Sequence, residues 1–138
     1  MRLEHLNLVV ENMDSTLYFY KTAFPHWYIR AQGVSNWYGV ERNWVHLGDD
    51  FQYLTFNDNG EGTNRNLENH NVGLAHFAYV VNNIKSVIDR LDKKGFKHRS
   101  RSENKFRKNV YFIDPSGYEI EFVEYLSDIP EERNSDDI

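Results

Sequence analysis

LEHLNLVV (residues 3–10) and LAHFAYVV (residues 74–81) are the two stretches on which the fold turns. Laid one above the other at a constant offset of 71, they match Leu3 with Leu74, His5 with His76, Val9 with Val80 and Val10 with Val81. The agreement runs on, with Ser15 on Ser86, Leu17 on Ile88 and Tyr20 on Leu91. Self-similarity at a fixed spacing is the mark of a duplicated structural unit. Within each stretch residues alternate, so His5, Asn7 and Val9 share one strand face while Leu6, Leu8 and Val10 share the other.

Working outward, each half repeats one order of elements. Asn12 or Asp14 caps a helix through Leu17, Tyr20 and Phe24, and Pro25 marks its end. In the second half Asn82 or Asn83 precedes IKSVIDRLDKKG, where Ile84, Val87, Ile88 and Leu91 form one apolar stripe and Gly95 is a C-cap candidate. Three strands follow each helix: WYIRAQ, NWVHLG and FQYLTF in the first half, FKHRSR, VYFID and YEIEFVEY in the second. The predicted unit is βαβββ, twice. Residues 1–56 form the first module, the Asn- and Gly-rich stretch 57–73 reads as a linker, 74–125 form the second module, and the acidic residues 126–138 read as a frayed tail. His26 and His70 fall in or beside loops and receive no role.

Composition narrows the function. Net charge is −5, which argues against a nucleic-acid or anionic-membrane binder. With no cysteine there is neither a disulfide framework nor thiolate chemistry, so a metal site would have to use His and carboxylates. The N-terminus reads as a strand rather than a signal peptide, and no apolar run approaches the ~20 residues of a membrane span. A cytoplasmic location is the expectation. Aromatic residues make up 15% of the chain, enough for sheet packing and for lining an apolar pocket.

Paired βαβββ modules that each open on a His-bearing strand, the second closing in FIDPSGYEIEF (residues 112–122), resemble the vicinal oxygen chelate superfamily. That group includes glyoxalase I, extradiol dioxygenases, fosfomycin resistance proteins and bleomycin resistance proteins. The most specific piece is the DP-x-G turn followed by a last-strand Glu, here Asp114, Pro115, Gly117 and Glu121. The resemblance implies an α+β fold in which two modules form a cup-shaped mixed sheet with helices outside, in a homodimer. It implies one divalent metal ion, Fe, Mn, Zn or Ni, held by His5, His76 and Glu121. Two imidazoles and a carboxylate with open positions suit such ions, and the ion would act as a Lewis acid on a substrate with two vicinal oxygens. Aligning YLTF with EFVE puts Tyr53, flanked by Gln52, where glyoxalase I carries a Glu.

The subgroups divide over the remaining positions. Val110, Tyr111, Asp114, Pro115, Gly117 and Glu121 match the extradiol dioxygenase pattern, but Ser102, Glu103 and Asn104 stand where its acid/base His would be. Glyoxalase I is matched at His5, His76 and Glu121 and departed from at Tyr53. Fosfomycin resistance proteins carry a Ser- and Gly-rich run before the turn, replaced here by SENKFRKNVYF with Lys105, Arg107 and Lys108. The implied activity is a metal-dependent lyase, isomerase or dioxygenase acting on a small oxygen-bearing organic substrate. Glu121, Tyr53 and Tyr111 are the catalytic candidates, and Trp37, Tyr38, Trp44 and Asn7 the substrate-binding candidates. The alternative is a metal-free binding protein of the bleomycin resistance type, gripping its ligand in an aromatic-lined groove built with Trp27, Tyr28, Trp37, Tyr38 and Trp44.

Overall fold

The computed structural model describes residues 1–136. They divide into two compact units, the first of residues 1–64 and the second from residue 65 onward. In the first unit β1 (His5–Val9), α1 (Met13–Ala23), β2 (Tyr28–Trp37), β3 (Val40–Gly48) and β4 (Tyr53–Asn57) follow in order. The second holds β5 (Phe77–Val80), α2 (Ile84–Lys93), β6 (Ser100–Glu103), β7 (Arg107–Ile113) and β8 (Glu119–Tyr125), then a helical turn, α3 (Pro130–Arg133). Each unit is a four-stranded mixed sheet, ordered β1-β4-β3-β2 in one and β5-β8-β7-β6 in the other. The first and last strands of each unit pair in parallel, and the other pairs are antiparallel. This is the α+β, twofold βαβββ architecture expected from the repeat.

Local chemistry explains the element ends. The side chain of Asn12 accepts the Ser15 amide at 2.9 Å, and Asn83 does the same for Ser86 at 3.1 Å, so the caps are Asn12 rather than Asp14 and Asn83 rather than Asn82. Gly95 takes the left-handed conformation (φ 88°) just past α2, and its amide donates to Asp92. Asp49 and Asp114 close the turns before β4 and β8. Asp49 Oδ1 accepts the amides of Phe51 and Gln52, and Asp114 Oδ1 accepts those of Ser116 and Tyr118.

Each sheet has one face packed under its helix and one face free of it. In the first unit Leu8, Val10, Val45, Leu47, Leu54 and Phe56 are buried with Phe19 and Tyr20 of α1, and the Tyr20 and Phe56 rings lie 5.0 Å apart. In the second, Val110, Phe112, Ile120 and Phe122 are buried with Ile84, Val87 and Leu91 of α2. Each such side chain contributes about 1.5–3 kcal/mol through removal of apolar surface from water. Trp27 belongs to this packing. It stacks on Phe24 at 3.9 Å and is buried, so it lines no groove.

Two segments differ from the sequence reading. Of FKHRSR only the part from Ser100 onward joins the sheet, as the short edge strand β6. The acidic tail is anchored as far as it is described. Arg107 donates to the carbonyls of Arg133 and Ser135, and Arg133 lies 4.5 Å from the centroid of the Tyr125 ring. Arg107, which holds both backbone carbonyls, lies 26 and 28 residues before them in the sequence. Residues 137 and 138, also assigned to the tail, lie outside the described residues.

Candidate functional site

In the second unit the face away from α2 carries the acidic chemistry. Alternation along β8 puts Glu119 and Glu121 on this face while Ile120 and Phe122 point to the helix. Both carboxylates are buried, with 8% and 9% of their surface exposed. Buried carboxylates need partners, and the two have different ones. Arg99 donates to Glu119 Oε2 at 2.6 Å, which makes Glu119 half of an ion pair. Asn109, on the neighbouring β7, donates to Glu121 Oε1 at 2.5 Å, and this leaves the second oxygen of Glu121 turned to His76. His76 Nε2 lies 3.2 Å from Glu121 Oε2, and its Nδ1 lies 3.9 Å from Glu119 Oε1.

Tyr111 completes the group. It pairs with Glu121 across β7 and β8, and its ring meets His76 edge-on at 5.4 Å. Burial, with the carboxylate of Glu121 beside it, pushes the Tyr111 phenol above its usual pKa of 10.0. The hydroxyl therefore stays protonated at neutral pH, where it can donate a hydrogen bond or a proton but is a poor base.

The corresponding face of the first unit is aromatic and cationic. The His5 and Tyr53 rings stack at 4.7 Å, 9° from parallel, and the His46 ring stacks on Tyr53 at 4.6 Å. Trp44 follows at 5.1 Å from His46. It lies across Gly33 of β2, where an added Cβ would come within 2.8 Å of the indole and push it aside. The Cζ of Arg30 is 4.6 Å from the Tyr53 ring centroid, within cation–π range. Partial burial lowers the His46 pKa below 6.5, and the positive charges of His5 and Arg30 act in the same direction. Glu4 accepts from His5 Nδ1 at 3.1 Å, and that bond holds its carboxyl below the usual pKa.

Strand register aligns the two units. His5 pairs with Tyr53 on β1 and β4, and Phe77, the residue after His76, pairs with Ile120, the residue after Glu119. On β3 and β4 His46 opposes Thr55, as Tyr111 opposes Glu121 on β7 and β8. The first-unit counterpart of Glu121 is therefore Thr55, that of Glu119 is Tyr53, and that of Tyr111 is His46. Matching YLTF to EFVE shifts this frame by two residues. Tyr53 still faces His5 directly, through the stack.

The other candidates are spread along the first unit. Asn7 accepts from Asn57 Nδ2 at 2.7 Å on the same face as His5. Trp37 ends β2, beneath the guanidinium of Arg42 at 5.5 Å. Tyr38 sits in the following turn, fully exposed and in the left-handed region (φ 50°). Tyr28 donates to Asp50. Among the described residues no three His, Asp or Glu side chains gather as a metal-holding group, and no helix is long and apolar enough to cross a membrane.

The sequence profile of the Glyoxalase/Bleomycin resistance protein/Dioxygenase superfamily matches residues 2–122. The chain belongs to this superfamily. Among solved structures of similar fold is a glyoxalase family protein from Enterococcus faecalis, 22% identical over 89% of this chain and 97% of that one, with a TM-score of 0.73. A glyoxylase/bleomycin resistance protein/dioxygenase domain from Frankia sp. EAN1pec is 18% identical over 94% and 95% of the two chains, with a TM-score of 0.75. A mutant of the fosfomycin resistance protein FosX from Listeria monocytogenes, complexed with Mn(II) and 1S,2S-dihydroxypropylphosphonic acid, is 14% identical over 97% and 98%, with a TM-score of 0.72. No curated protein matches the chain. At these identities the structural likeness speaks for the fold, and superfamily members hold many chemistries on that fold.

Sequence reasoning missed three members of these faces. Asn109 and Arg99 decide the partners of Glu121 and Glu119, and His46 lies against Tyr53. The match of Asp49 with Asp114, each closing its turn, is the signal that would have placed His46 on Tyr111.

Proposed function

We propose that the protein is a divalent-metal-dependent enzyme acting on a small oxygen-bearing organic substrate, as a cytoplasmic homodimer. His76 and Glu121 are two of its ligands and His5 the third. The carrying observation is the convergence of His76 Nε2 and Glu121 Oε2 at 3.2 Å. Metal–nitrogen and metal–oxygen bonds of about 2.0–2.2 Å put neighbouring donor atoms on one ion roughly 3 Å apart. The donor set of two imidazoles and a carboxylate suits Fe, Mn, Zn or Ni. Mn(II) in the FosX complex supports the same class of ion.

When bound, the ion supplies Lewis acidity toward a substrate with two adjacent oxygens. The chain's own residues supply the rest. Asn109 holds one oxygen of Glu121 and so fixes the direction of the other. Tyr111, kept protonated beside Glu121, donates a proton or hydrogen bond to a developing oxyanion. Tyr53 stacks between two imidazoles and contacts substrate rather than metal. Reactions that need only proton movement at the substrate, of the lyase or isomerase type, fit these groups best. Trp44, Trp37, Tyr38 and Asn7 would contact the organic part of the substrate.

The second reading is a metal-free binding protein. It is favoured by the aromatic run of His5, Tyr53, His46 and Trp44, which could stack on a flat ligand. Elemental analysis of untagged protein, beside its His76→Ala variant, separates the two. Near one Fe, Mn, Zn or Ni per chain, lost in the variant, is expected for the enzyme. No bound metal, and no thermal stabilisation by any added divalent ion, would leave the binding protein.

A further inference from the structure

We propose that Arg30 receives an anionic group of the ligand, so that the substrate is a small organic acid carrying a carboxylate or phosphonate. The role of that group in a substrate rests on the metalloenzyme reading above; the capacity of Arg30 to bind an anion does not.

The argument begins with the backbone. The β2–β3 ladder runs Tyr28 with Gly48 and Ile29 with Leu47, then slips, so that Ala31 is the partner of His46. Arg30 is the extra residue of a β-bulge. Bulges re-aim a side chain and recur beside active sites. This one lets Ala31 take the face of His46 next to Arg30, and the Arg30 side chain reaches across β3 to the Tyr53 ring on β4. The guanidinium is thus held on the aromatic group that includes His5, the proposed metal ligand.

Its charge is left available. Among the described residues Arg30 makes no ion pair, whereas Arg99, Arg107 and Arg133 each pair with carboxylates. The acidic group that senses Arg30, Glu4, already accepts from His5. An exposed arginine is ordinarily free to sweep through solvent. Stacking on a ring removes part of that freedom beforehand and leaves the planar N–H edge open, the arrangement that receives carboxylate and phosphate oxygens in pairs.

The test uses metal-free full-length protein and two probes, methylphosphonate and acetate, titrated by NMR against wild type, Arg30→Gln, Arg30→Lys and a control, Lys21→Gln on α1. Wild type and the control are expected to bind at least one probe equally. Arg30→Gln should weaken it at least fivefold, and Arg30→Lys should fall between, keeping the charge but not the planar edge. The better probe tells phosphonate from carboxylate. Equal binding by wild type and Arg30→Gln, or an equal loss in the control, would overturn the proposal. Mn(II) titration of wild type and His76→Ala reads the metal separately. Arg30-dependent anion binding without Mn(II) uptake would keep this proposal and remove the metalloenzyme, and Mn(II) uptake with Arg30-independent anion binding would do the reverse.

Discussion

The two units share a topology and differ in what their open faces carry. Where the second unit places two buried carboxylates beside His76, the first places a phenol beside His5 and a threonine beside Asn7. Where the second has Tyr111, the first has His46. The helix-facing layers hardly differ in kind, since both are aliphatic and aromatic. Duplication preserved the positions that fold the chain. The other face differs where no shared core constrains the residue types, and that is the face on which function is grafted in the reading proposed above.

That contrast can be broken at several points. The largest effect should come from the shared layer. Phe56→Ala and Phe122→Ala remove fully buried rings from matching strands, and each should cost about 3–5 kcal/mol in urea unfolding. A loss below about 1 kcal/mol at either position would mean that the ring is not part of its unit's core. Next comes the metal. Glu121→Gln should weaken Mn(II) binding by more than about 100-fold, beyond the 10–100-fold typical of outer partners. Tyr53→Phe should change it less than about threefold. Equal losses in isothermal titration would erase the difference between the faces.

Asn109→Ala sharpens the comparison within the second unit. It frees one oxygen of Glu121 and should reduce metal affinity about 10-fold, at the lower end of the range for such partners. Arg99→Gln, which releases Glu119 instead, should leave metal affinity nearly intact while lowering stability. The smallest effect concerns pH. Burial disfavours the imidazolium of His46, so its folded pKa lies below 6.5 and the unfolded chain binds more protons in the interval. This contribution to stability is fully present above 6.5 and is lost as pH falls through the folded value. Urea midpoints from pH 7.5 to 5 should decline less steeply in His46→Gln than in wild type, and parallel curves would show that His46 titrates as if solvated.

Much of this could be read in the chain. The duplicated fold was legible because a strand at the core boundary shows its alternation, and the matching of His5 with His76 marks the same strand twice. The turn Asp114–Gly117 was legible because its backbone geometry demands those residue types. The roles of Glu119 and Glu121 were not. Residues two apart on a strand share a face, and only the distant partners Arg99 and Asn109 tell them apart. Arg30 was equally silent, because a bulge arises from the pairing of two strands and leaves no mark in the periodicity of one.

By itself, then, the sequence determined the two βαβββ units, their helices, and the segments that carry His5, His76 and Glu121. These depend on local propensity and on periodicity, which are properties of short segments. Tertiary structure decided that Tyr53 is matched with Glu119 rather than Glu121, that Asn109 aims Glu121 at His76, and that Arg30 rests on Tyr53. Each of these depends on strand register. Register is set by the whole sheet and its turns, and moving it by one residue would carry every side chain of a strand to the opposite face.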